Sequence, residues 1–243
     1  MDTGKAGAVH LALAIQDMAD YTLTTTGQLG ADQDLVCPVF GRGDGAHRAH
    51  ISPMRIVGRW HEGFALDYHI ISSIYIGDDE FGHGRFDTRR SELGELLYRL
   101  KYKSETSVAD EIARTATEFV GQRKWPVDIL VPIPPTRTGR AQQPVLLVAR
   151  VLGEGLGLSV VVSAVTKTRD TPQLKDVFDY NERLSLLKGA FAVSPSEVRG
   201  RKILLFDDLY RSGATMNAVA SALFDEGGAA EVYALALTRT RRG

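Results

Sequence analysis

At positions 203–215 the chain reads ILLFDDLYRSGAT, and these residue types in this order suit one kind of chemistry. Four hydrophobic residues, Ile203–Phe206, make a buried strand that delivers Asp207 and Asp208 to its carboxyl end. A short loop, Leu209 to Ala214, leads into a helix expected to start near Thr215. Glycine lets a backbone approach a ligand closely. The first amides of a helix, with its dipole, favour an anion by about 0.3–1 kcal/mol. Arg211, Ser212, Gly213, Ala214 and Thr215 therefore suit a phosphate. The two carboxylates are placed to accept hydrogen bonds from the vicinal hydroxyls of a ribose. They also suit Mg²⁺, bound directly or through water, because that ion takes one or two carboxylates with water and phosphate oxygens. The pattern is not a P-loop, which needs Gly-Lys-Ser/Thr. Nor is it the dinucleotide fingerprint, with its three spaced glycines before the acid.

The surrounding elements must position these groups. Met216, Val219, Ala220, Leu223 and Phe224 form one helical stripe after the loop. Gly227 and Gly228 end that helix, and Val232–Leu237 reads as the next strand. This is a βαβ unit, so the fold class expected from about Ser91 onward is α/β, with a parallel sheet flanked by helices. Upstream, Leu93, Leu96, Leu97 and Leu100 keep helical spacing, as do Val108, Ile112, Ala116 and Phe119. Val127–Ile133 reads as a strand covered on both faces. Gln142–Gly153 reads as a helix stopped by glycines, Ser159–Val165 as a strand, and Asn181–Lys188 as a short helix capped by Gly189. Two basic segments interrupt these elements. Arg137 and Arg140 follow the proline-rich end of Val127–Ile133, either as anion ligands or as solvated residues of a surface turn. Lys167–Phe178 (KTRDTPQLKDVF) is either a lid or a solvated loop.

ILLFDDLYRSGAT resembles the 5-phosphoribosyl-1-pyrophosphate (PRPP) motif of type I phosphoribosyltransferases. The resemblance implies that Asp207 and Asp208 are the catalytic acids on the ribose and that 211–215 hold the 5-phosphate. LYRLKYK (97–103), DILVPIPPTRTGR (128–140), RDTPQ (169–173) and ERLSLLKGAFAV (182–193) are similar to the ComF branch of phosphoribosyltransferase-like proteins. By that likeness Arg137, Arg140, Lys167 and Arg169 would bind pyrophosphate. The activity implied is transfer of phosphoribosyl from Mg²⁺-bound PRPP to a nitrogen nucleophile such as a nucleobase. The alternative is a non-catalytic PRPP or nucleotide binder linked to regulation or DNA uptake. ComF proteins usually begin with a four-cysteine zinc ribbon, and Cys37 is the only cysteine here, so this chain cannot make one.

The 243 residues are 44% hydrophobic and 24% charged, enough for a sizeable core. A formal net charge of −1 counts against a nucleic-acid-binding accessory protein. Ala8–Ile15 is too short to span a bilayer and lacks a clear cleavage site, so a cytoplasmic protein without a membrane partner is expected. Residues 1–90 are read as a small β-containing appendage and 91–243 as the phosphoribosyltransferase domain. In the appendage Met54–Trp60 and Phe64–Ile76 form a hairpin and Gly77–Arg90 a loop. His47, His50, His61, His69 and His83 are read as surface or structural residues, so the appendage is expected to hold no metal. It is expected to cover the acceptor side or to form a subunit contact, as in a homodimer.

Overall fold

The computed structural model describes residues 47–135, 143–169 and 179–241. A six-stranded sheet forms its centre. The strands are β1 (Met54–Arg55), β2 (Glu62–Tyr68), β5 (Ile129–Pro132), β6 (Ser159–Val160), β9 (Lys202–Tyr210) and β10 (Glu231–Arg239), in the spatial order β1-β2-β10-β9-β5-β6. Only the β1–β2 pairing is antiparallel. Two antiparallel ribbons stand apart from this sheet. One pairs β3 (Ile70–Asp78) with β4 (Gly84–Arg90), the other β7 (Val165–Lys167) with β8 (Phe191–Val193).

Helices cover both faces, so the central strands are buried twice over and read as unbroken apolar runs. In β9, Leu204 and Phe206 face one core with Leu130 of β5, Leu235 and Leu237 of β10, and Phe64 and Leu66 of β2. Packed on this side are α1 (Glu92–Tyr102), α2 (Ala109–Arg123) and α3 (Pro144–Leu156). The Ser91 hydroxyl starts α1 by accepting from the Gly94 amide at 3.0 Å. It also donates to the Tyr68 carbonyl at 2.6 Å, which ties the helix to the end of β2. Ile203 and Leu205 of β9 face the second core with Ala234 and Ala236 of β10. That side is covered by α6 (Ala214–Asp225) through Met216, Val219, Ala220 and Leu223. Two shorter helices, α4 (Tyr180–Leu187) and α5 (Pro195–Val198), complete the order.

Several sequence expectations need correcting. The segment Phe64–Ile76 is not one strand of a hairpin. Gly63–Asp67 is wholly buried between β1 and β10, while the strand is interrupted at His69 and the chain continues as the largely exposed β3. Gly77–Arg90 is not all loop, because its second half is β4. A division at residue 90 does not separate the sheet from what precedes it, since β1 and β2 are sheet strands. The helix α3 is not stopped by Gly153. A Cβ there would lie 2.3 Å from Val160 Cγ2, and one at Gly155 would lie 2.7 Å from Thr117 Oγ1. Both glycines therefore serve close packing, and the helix ends at Gly157. Ser159–Val165 splits between an edge strand of the sheet and the start of the β7–β8 ribbon. Ala8–Ile15, Cys37, Arg137 and Arg140 lie outside the described residues.

Candidate active site

The crossover from β5 through α3 runs outward to β6, whereas that from β9 through α6 runs the other way to β10. Neighbouring β5 and β9 thus flank the point where the strand order reverses. In open parallel sheets the ligand crevice opens there, beyond the carboxyl ends of the strands. The strand β9 ends in Asp207-Asp208-Leu209-Tyr210, and β5 ends in Pro132, followed by Ile133, Pro134 and Pro135. The Ile133 amide donates to the Phe206 carbonyl at 2.8 Å, which fastens the two ends together just below the acids.

The acids are still within the strand. Asp207 is opposite Ala236 and Tyr210 opposite Arg239 in the β9–β10 register, so the loop shrinks from the expected Leu209–Ala214 to Arg211–Gly213. Successive strand residues point to opposite faces, which sends the two carboxylates different ways. Asp207 belongs to the α6 face. Its Oδ1 accepts from the Asp208 amide at 2.8 Å. Burial first, and then the neighbouring Asp208 charge, push its carboxyl well above the usual carboxylate range. Asp208 belongs to the α1 face, where its Oδ2 meets Lys101 Nζ at 2.8 Å. The two side chains are only 18% and 16% exposed.

A buried polar support lies behind this pair. The Thr238 hydroxyl donates to the Asp208 carbonyl at 3.2 Å and lies 3.4 Å from His69 Nδ1. Burial, reinforced by the charges of Lys101 and Arg90, lowers the His69 pKa to about 3, so the imidazole is neutral. The chain beyond β9 turns at Gly213, whose φ of 79° lies in the left-handed region. This lets its backbone sit against the buried ring of Tyr210. Among the described residues no side chain caps α6, apart from a 3.4 Å contact between Ser212 Oγ and the Ala214 amide. The amides of the first turn have no carbonyl partner within the helix, so they are suited to an anion. Asn217 steadies the turn from within. Its amide and its Nδ2 both donate to the Gly213 carbonyl, at 2.8 and 3.0 Å, and its Oδ1 accepts from the Arg59 amide at 2.8 Å.

Of the expected site residues, Asp207, Asp208, Arg211, Ser212, Gly213, Ala214 and Thr215 follow one another along the end of β9, the turn and the start of α6. Lys167 is the last residue of β7, paired with Phe191. The Arg169 guanidinium donates to the carbonyls of Leu186 and Lys188 at 2.9 and 3.1 Å, so its hydrogen bonds tie it to the end of α4 and not to the acids. Lys101, His69 and Thr238 were not singled out as site residues. No spacing rule links the last turn of α1 or the end of β2 to a motif more than a hundred residues away. Thr238 alone carried a signal, as a polar residue directly after the expected strand Val232–Leu237.

Among the described residues no three His, Cys, Asp or Glu side chains cluster as metal ligands. One oxygen of Asp208 is already committed to Lys101. The acid pair therefore fits a Mg²⁺ carried mainly by ligand oxygens and water, not one caged by protein. A cleft of about 540 Å³ lies elsewhere, between α4, β8 and α6, and is lined by Ser185, Lys188, Phe191, Asn217, Ser221 and Asp225. It contains neither Asp207 nor Asp208. No helix among the described residues is long and apolar enough to cross a membrane.

No family model matches the chain, and no curated protein does. Among solved structures it is similar to adenine phosphoribosyl transferase from Trypanosoma brucei in complex with AMP, pyrophosphate and ribose-5-phosphate. That likeness has 14% identity and a TM-score of 0.40, over 78% of this chain and 75% of that one. A second is to the allosteric regulatory enzyme of purine biosynthesis, at 16% identity and a TM-score of 0.41, over 65% of this chain and 34% of the other. The chain thus spans about a third of that enzyme's length. Likenesses this distant carry no argument, and the functional reading stands on the site itself.

Proposed function

We propose that the chain is a phosphoribosyltransferase that binds PRPP and transfers its phosphoribosyl group to a nitrogen nucleophile. The observation that carries this reading is the succession at the end of β9. An acid pair is followed, after Arg211–Gly213, by a helix start whose first amides, among the described residues, meet no side chain but Ser212 Oγ at 3.4 Å. The span suits a ribose 5-phosphate, with hydroxyls on the acids and phosphate on the first turn of α6. In the reaction the bond from the anomeric carbon to pyrophosphate breaks, a carbon–nitrogen bond forms, and pyrophosphate leaves. Asp207 and Asp208 orient the ribose, and the Asp208 carboxylate stabilises positive charge growing on the sugar ring. The residues 211–215 anchor the distal phosphate so that the anomeric carbon is held in place. Asp207 and Asp208 would hold, through water, Mg²⁺ that arrives with the substrate, where it neutralises pyrophosphate charge.

The test is a thermal melt with PRPP alone, with PRPP and Mg²⁺, and with PRPP and EDTA. Stabilisation is expected only with both present, by about 2.7 kcal/mol at a hundred times the dissociation constant. A panel of purine and pyrimidine bases, read by pyrophosphate release, then identifies the acceptor. The absence of any shift defeats the assignment. Binding without turnover for any acceptor favours the non-catalytic alternative.

A further inference from the structure

The ion pair between Lys101 and Asp208 joins two elements far apart in sequence and is anchored at both ends. Lys101 sits in the last turn of α1, where the helix dipole favours a cation. The helix beneath it is fixed by the Ser91 cap and by Leu93, Leu96, Leu97 and Leu100, none more than 5% exposed. Asp208 is held by its place in β9 between the paired Asp207 and Leu209, by its amide on Asp207 Oδ1 and by its carbonyl on the Thr238 hydroxyl. The ammonium therefore meets the carboxylate from a rigid helix, at 2.8 Å and with both side chains mostly covered. Exposed ion pairs generally lack such fixation.

We propose that Lys101 is a positioning residue of the acid pair. Its ammonium is a resident counter-ion that occupies one oxygen of Asp208, keeps free divalent cations off the pair and leaves the other oxygen for a sugar hydroxyl. A divalent ion has to sit about 2.0–2.1 Å from a carboxylate oxygen, with most of its other positions filled by water or phosphate. At Asp208 Oδ2 it would meet the ammonium at close range. A charge pair at about 4 Å in a half-wet site alters affinity by more than about tenfold. Only a ligand that brings its own phosphate oxygens offsets that repulsion. This inference deepens the PRPP reading and rests on it for the identity of the sugar. Its test uses metal alone.

Mn²⁺ is titrated into the ligand-free full chain, with free ion read by electron paramagnetic resonance. The unsubstituted protein is expected to take up no Mn²⁺ below about 1 mM. Lys101→Met should open a site binding at least about tenfold more tightly, and that site should be lost again in Lys101→Met/Asp208→Asn. Lys101→Arg should keep it closed. Circular dichroism establishes that each variant is folded, and Lys101→Gln replaces the methionine variant should that one fail to fold. The proposal is overturned if a folded neutral variant binds Mn²⁺ no better than the unsubstituted protein. It is equally overturned if the unsubstituted protein binds Mn²⁺ tightly and loses it in Asp208→Asn. PRPP stabilisation is measured on the same samples. Loss of the Mn²⁺ effect with PRPP binding intact removes Lys101's role alone, and the reverse removes the PRPP assignment alone.

Discussion

Gly213→Ala probes the turn between the acids and the helix start. Two costs follow from the geometry. Alanine at a φ of 79° occupies the left-handed region, at about 1–2 kcal/mol. The added Cβ would also lie 2.4 Å from the Tyr210 hydroxyl oxygen and 2.7 and 2.8 Å from the Cζ and Cε2 atoms of its ring. Tyr210 cannot swing away freely, being 5% exposed within the second core. Overpacking of this kind costs about 1–3 kcal/mol, which brings the total to roughly 2–5 kcal/mol. Urea denaturation of the ligand-free protein measures it through the midpoint at constant slope. The same substitution in a Tyr210→Ala background should lose the packing part and retain only about 1–2 kcal/mol, so the double-mutant cycle separates the two causes. A loss below about 0.5 kcal/mol in the original background would refute both the left-handed turn and the close approach to Tyr210.

Asp207→Asn should stabilise the ligand-free protein by about 1–3 kcal/mol at pH 8 while abolishing PRPP binding. Because burial holds the folded carboxyl above its ordinary range, the folded state binds the more protons. Its stability therefore falls as pH rises from about 4 toward 8, and asparagine removes that slope. Urea midpoints at pH 5 and pH 8 check this, and an asparagine variant less stable at pH 8 would contradict it. The fragment 91–243 should be poorly soluble, since without β2 one whole edge of β10 loses its partner. Its recovery in soluble, cooperatively melting form would show that β2 is dispensable to the sheet.

The βαβ unit around the acids was legible because each level of the sequence agreed. Ile203–Phe206 is apolar throughout, the stripe from Met216 to Leu223 keeps helical spacing, and Gly213 stands where the chain must turn. The same logic failed between residues 54 and 90. In β2, EGFALDY looks like any aromatic-rich strand, and only its place between β1 and β10 explains why five consecutive residues are buried. In β4, GRFDTRR is too polar to stand out, because its burial alternates and the ribbon has a largely exposed face. The acids and the loop proposed to hold phosphate lie in one contiguous stretch. Lys101, His69 and Thr238 could not be assigned to the site, because tertiary packing alone brings them beside Asp208.

The pairing of β2 with β10 sets the timing of folding. Glu62 lies opposite Tyr233, so the sheet closes across nearly the whole described chain. Contacts so distant in sequence slow folding. At ribosomal speeds of about 5–20 residues per second, β2 leaves the exit tunnel roughly 10–30 s before its parallel neighbour is made. For that interval Phe64, Ala65 and Leu66 are an apolar strand edge without a template. A newly made chain is therefore most open to mispairing through β2, and the emergence of β10, not of the loop after β9, ends that exposure.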